Sequence, residues 1–170
     1  MRYLLLGGVS VLSMILTACV SPQVSIFGAQ MDMLLAVLLG MVAWEQTMTP
    51  VFYVTLAAMW MDAFFAKALG FYALQYLLVG MGLCLFLKDR RLDIVGVMLT
   101  AAGAWVLREV LGVVLCFLMD APVGLWNRLW HSTLPGMLPQ ALLSLGAYAF
   151  LGRLYRLRML WPTGKYLDRG

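Results

Sequence analysis

Three charged side chains stand out deep within long apolar stretches of this sequence: Asp62, Arg108 and Glu109. A charge at the centre of a bilayer costs about 2.5–3.5 kcal/mol on insertion scales, so each needs a partner or a purpose. Helical rise gives their depth. Asp62 lies twelve residues beyond Pro50, about 18 Å along its helix. Arg108 lies fourteen residues beyond Ile94, about 21 Å along its own. With both helices running the same way, the two groups reach one level. Gln75, six residues into a helix running the opposite way, reaches the same layer. The expectation is an Asp62–Arg108 pair across a helix interface, with Gln75 completing the hydrogen bonding. Glu109 is about 100° around the helix from Arg108 and is expected on a different face. It is assigned to a second partner, on another protein or at the outer headgroups. Such a layer serves either as a polar cluster for a ligand, a proton or a partner, or as a structural clamp between helices.

Other chemistry is missing. The sequence holds no Gly-rich phosphate loop, no HExxH and no GxSxG. No nucleophile–base pair lies in an apolar stretch, and no chain of acids or histidines offers a proton relay. The expectation is therefore a non-enzyme with no cofactor. His131 is a lone histidine without a second ligand nearby, which argues against a metal. Cys19, Cys84 and Cys116 are odd in number and form no CxxC pair, so neither a disulfide framework nor a zinc site is expected.

The elements that must carry these residues follow from composition. The chain has 170 residues, of which 64% are hydrophobic and 12% charged. A soluble domain carries about 25% charge, so lipid is the expected solvent. Six apolar runs are read as transmembrane helices in one compact all-α bundle, a single domain: residues 4–20, 28–44, 51–65, 69–87, 94–119 and 140–154. Glu45 to Pro50 breaks what would otherwise be one run of some 37 residues, about 55 Å long. Small residues at Ala101–Ala104, Gly80, Gly82 and Gly146–Ala147 read as packing seams.

Placing the N-terminus inside puts nine of the twelve basic residues in the cytoplasm: Arg2, Lys88, Arg90, Arg91, Arg153, Arg156, Arg158, Lys165 and Arg169. The positive-inside rule then sets both ends in the cytoplasm. The basic residues cluster beside apolar runs, which argues against nucleic acid as a partner. The basic tail, 155–170, suits anionic lipid or a cytoplasmic filament, as does the Lys88, Arg90, Arg91 loop. The outer loop, 120–139, carries Trp126, Leu129 and Trp130 at helical spacing. That pattern suits an amphipathic helix at the interface, either docking a periplasmic partner or serving as an anchor alone. Leu16-Thr17-Ala18-Cys19 matches a lipobox, leaving open a lipidated Cys19 beside an uncut first span.

Met31-Asp32-Met33-Leu34-Leu35, then Asp62 near the end of the next run, then Leu69 to Gly80 with its Leu-Gly, Ala-Leu and Gly pattern, resemble the MreD family of bacterial rod shape-determining membrane proteins. The motif match covers about residues 29–82, with layout alone beyond it. Met31 stands where the family usually has Pro, and Ala57 and Ala58 where Gly is common. The resemblance implies a non-catalytic inner-membrane subunit of the cell-elongation complex. Its partners would be MreC, the MreB filament and, through MreC, a peptidoglycan synthase. Its fold would be similar to the substrate-binding components of energy-coupling-factor transporters. That shared fold supplies the alternative, a vitamin-type small-molecule binding component of a membrane transporter.

Overall fold

The computed structural model describes residues 2–19, 25–26, 29–65, 70–88, 92–119 and 133–156. Six helices occur among them: α1 (Arg2–Cys19), α2 (Met33–Glu45), α3 (Thr49–Phe65), α4 (Phe71–Leu87), α5 (Ile94–Leu118) and α6 (Leu134–Arg156). Two two-residue strands, β1 (Ser25–Ile26) and β2 (Ala29–Gln30), pair antiparallel between α1 and α2. The described chain is otherwise all-helical. Trp126, Leu129, Trp130, Arg90, Arg91 and the tail beyond Arg156 lie outside the described residues, as do Arg128 and His131.

A helix that is apolar all round has no face for water and must be enclosed. Met33 to Trp44 is such a run, and α2 is the centre of the bundle. It packs against all five other helices. Around it runs an arc in the order α1, α3, α4, α5, α6, each touching the next, and α6 also packs closely on α2. The core lies between α2 and this arc: Leu34, Leu35, Leu38 and Leu39 meet Val54 and Ala58 of α3, Tyr76 and Val79 of α4, and Val97 and Ala101 of α5.

The arc helices are apolar on their outward faces too. On α3 the large exposed side chains are Phe52, Leu56, Met59, Trp60 and Phe64, one continuous stripe at i, i+4, i+7, i+8 and i+12. Phe64 is 70% exposed. Leu99, Leu107, Val110 and Val114 do the same on α5. Two helices are long and apolar enough to cross a membrane, Ile94–Leu118 and Leu134–Tyr155, and Tyr3–Cys19, Met33–Glu45 and Phe71–Leu87 are shorter apolar helices.

Helix ends follow local chemistry. Gln46, at φ 50, terminates α2, its N–H donating to Val42 O at 2.8 Å. Pro50 sits in the first turn of α3, where its missing N–H costs nothing. Two boundaries differ from the sequence reading. The second helix begins at Met33, not near residue 28, because Asp32 caps it. The sixth begins at Leu134, so 134–139 belongs to the helix and not to the outer connection. Pro135, Gly136 and Pro139 read as loop chemistry, yet Pro135 falls in the first turn, where its missing N–H costs nothing, and Pro139 inside the helix forfeits a single bond.

The packing seams are more selective than expected. A Cβ at Gly80 would lie 2.6 Å from Val51 Cγ1, and one at Gly40 would lie 2.7 Å from Leu151 Cδ1 and 3.5 Å from the Tyr148 backbone. Gly152 likewise meets Trp44. By contrast Gly103 and Gly146 face open space and Gly82 makes only ordinary contact with Leu107, so these three are not close seams.

Candidate functional site: a buried ion cluster

The site is built on the N-terminus of α2. Asp32 precedes the first helical residue in extended conformation, and its Oδ1 accepts the Leu35 N–H at 3.0 Å. This is an N-cap, satisfying one of the donors that every helix start leaves orphaned. A second, Leu34 N–H, donates to Thr17 Oγ1 of α1 at 2.9 Å, while that hydroxyl donates to Ser13 O. Gln140 of α6 clamps the Asp32 backbone: its Oε1 accepts the Asp32 N–H, and its Nε2 donates to the Asp32 carbonyl, both at 2.9 Å.

The other oxygen of Asp32 carries the charge chemistry. Oδ2 accepts the Tyr76 hydroxyl from α4, and Arg108 Nε of α5 lies 2.9 Å from it as an ion pair. Arg108 Nη1 donates to Glu109 Oε1 at 3.1 Å. The guanidinium lies 5.7 Å from the Tyr76 ring and 5.6 Å from the Trp105 ring, within cation–π range of both. Trp105 in turn donates from Nε1 to Thr133 O, at the start of α6, at 3.1 Å. Asp32, Tyr76 and Glu109 are buried and Arg108 nearly so. One carboxylate–guanidinium–carboxylate group thereby ties α2 to α4 and α5, with Thr17 and Gln140 joining α1 and α6.

This corrects the expected pairing. Arg108 pairs with Asp32 and Glu109, not with Asp62. The depth arithmetic gave a level but not a neighbour: α4 stands between α3 and α5 in the arc. Glu109 is buried, and it pairs with its own helix neighbour where a separate face was expected. Its long side chain and that of Arg108 reach around the helix to meet. Gln75 is buried on α4 next to the cluster's helix, its Nε2 3.4 Å from where a Cβ on Gly112 would stand. Lys88, the described member of the basic loop, is exposed and ends α4.

Asp62 has a different task. Oδ1 accepts the Tyr72 N–H at 2.8 Å and Oδ2 the Ala73 N–H at 2.9 Å. Gly70, in the left-handed conformation at φ 91, turns the chain into α4 without a side-chain cap of its own. Asp62 supplies that cap from the preceding helix, and the positive end of α4 stabilises its charge. Asp62→Ala is expected to lower stability by about 1–2 kcal/mol, as loss of a strong N-cap does. Asp62→Asn should recover part of that. Thermal unfolding in detergent checks both. Thr17→Val leaves the Leu34 N–H buried without its acceptor, an expected loss of about 1–3 kcal/mol. Thr17→Ser, which keeps the hydroxyl, should cost much less in the same assay.

A second polar group closes the other end of α2. Glu45 Oε1 accepts the Tyr155 hydroxyl at 2.9 Å, and Oε2 accepts the Thr47 hydroxyl at 3.3 Å. Trp44 stacks with both Tyr148 and Tyr155 and donates from Nε1 to Tyr148 O. Helices α2 and α6 are thus pinned near both ends, with Gly40 and Gly152 letting them approach between.

The sequence reading passed over Asp32, Tyr76, Gln140, Thr17, Glu45 and Tyr155 as site residues. Asp32 had a usable signal, an Asp three residues ahead of Leu35 at the head of an apolar run. Tyr76 and Gln140 carried none that spacing alone reveals. Among the described residues, no group of three or more His, Cys, Asp and Glu side chains could hold a metal ion. No protein-family model, no curated protein and no solved structure matches this chain.

Proposed function

We propose that this chain is a multi-pass protein of the bacterial inner membrane, six spans with both ends in the cytoplasm, acting as a non-catalytic scaffold. The observation that carries this reading is the commitment of the interior charges. Asp32, Arg108 and Glu109 are engaged with one another, and Asp62 with the α4 backbone, so they hold helices rather than await a substrate. What remains on offer is the outer surface, apolar on every arc helix. A bundle with that surface is at home in lipid, where helix association rests on close packing and interhelical hydrogen bonds.

The residues behind the MreD resemblance support a role in cell elongation. They are the ones that interlock: Asp32 caps α2 and binds Tyr76, Asp62 caps α4, and Gly80 admits Val51. On this reading the protein binds an MreC-like single-span periplasmic protein through the outer segment bearing Trp126, Leu129 and Trp130. It meets an MreB-like filament or anionic lipid through Lys88, Arg90, Arg91 and the tail. The vitamin-binding alternative needs Gln75, Asp62 and Arg108 around one ligand, and the separate engagements of Asp62 and Arg108 do not favour it. Co-purification tests the reading: a single-span periplasmic protein should accompany the wild type and be lost on Trp126→Ala with Trp130→Ala. A reporter fused to the C-terminus should be active only in its cytoplasmic form; the reverse would refute the topology.

A further inference from the structure

The start of α6 is chemically unlike the rest of the bundle. Leu134-Pro135-Gly136-Met137-Leu138-Pro139 contains two prolines and a glycine in one and a half turns. Pro139 has no N–H to return to the carbonyl of Pro135, so the ladder is interrupted there. Kinks in helices concentrate at such positions. Immediately after this break, Gln140 is fixed by two hydrogen bonds to Asp32. Before it, Thr133 O is held by the Trp105 indole. The segment is therefore anchored below the weak point and latched above it. The latch is not independent of the ion cluster, because the same Trp105 ring lies against the Arg108 guanidinium.

We infer that Thr133–Leu138 is a lid on the buried ion cluster, hinged at Pro139 and latched by the Trp105–Thr133 hydrogen bond. Closed, it helps keep Arg108, Asp32 and Glu109 dry, where their attraction is strongest. Open, it lets the indole leave the guanidinium and admits water to the cluster from that end of the bundle. Met137, half-buried and packed on the core, moves with the lid. This inference goes beyond the scaffold reading and needs no partner, so either can fail without the other.

Cysteine labelling of the full chain in detergent tests it. One protein carries Met137→Cys with Cys19, Cys84 and Cys116 replaced by serine. A second keeps only native Cys84, buried on α4, as a reporter of general loosening. Trp105→Phe keeps the ring and removes the donor. It should speed maleimide labelling at position 137 by about three- to tenfold, the shift expected from one lost hydrogen bond. Labelling of Cys84 should stay unchanged. Pro139→Ala restores the helix bond and should slow labelling at 137. Unchanged rates at 137 in both variants overturn the lid. So does a Trp105→Phe acceleration that appears equally at Cys84, which would mean the whole bundle has loosened.

Discussion

Replacing Arg108 by leucine should destabilise the bundle by about 3–5 kcal/mol, the cost of stranding buried charge when one member of an ion pair is removed. Asp32 Oδ2 and Glu109 Oε1 both lean on this guanidinium, at 2.9 and 3.1 Å. Without it two buried carboxylates lose the counter-charge they share. Arg108→Lys should also be damaging, because a compact ammonium lacks the flat, fork-shaped guanidinium that reaches both carboxylates while lying within cation–π range of two rings. The informative companion is the triple variant Asp32→Asn, Arg108→Met, Glu109→Gln. Asn caps a helix about as well as Asp, and no charge is left to strand. It should regain most of the stability lost in Arg108→Leu, measured by thermal unfolding in one detergent. If the triple variant is no better than the single one, the cluster is not held together by charge compensation.

Gly80→Ala is expected to cost about 1–3 kcal/mol through overpacking. A Cβ there would stand 2.6, 3.0 and 3.3 Å from Val51 Cγ1, Cγ2 and Cβ. Val51 is β-branched, buried and fixed at χ1 in a helix, so it cannot swing aside. The strain must then move α4 away from α3 and disturb the Asp62 cap that joins them. Val51→Ala removes two methyl groups and should rescue the Gly80→Ala variant while being destabilising by itself. A double-mutant cycle on unfolding free energies reads this as a coupling of opposite sign to the single effects. Gly103→Ala serves as the control: nothing lies within 4 Å of its Cβ position, so stability should hardly change.

Much of the fold was legible because apolar content is a bulk property. The absence of charge over long runs requires helices that satisfy their own backbone, wherever each helix goes. The break between α2 and α3 was marked by Pro50 and the polar residues before it. The misread start of α6 shows the limit of such punctuation, since a proline such as Pro135 that signals a loop is equally tolerated in the first turn of a helix. At the site, the sequence flagged Arg108, Glu109 and Asp62 as groups in need of partners, and each has one. It misassigned those partners. Asp62 was placed opposite Arg108 by counting along two helices that α4 keeps apart. Asp32 was placed within the second apolar run and given no partner, yet it anchors the cluster.

By itself, then, this sequence determined that the described chain is helical, where most of its breaks fall, and which charged side chains are too costly to leave unmatched. Only the tertiary structure decided which partner each one takes, that α2 rather than a later helix is central, and that Tyr76, Gln140 and Thr17 belong to the cluster. The physical reason is that helical rise fixes how far along an axis a residue stands. Which helices adjoin, and which way each is rotated, depend on contacts between segments distant in the chain, such as Gln140 with Asp32.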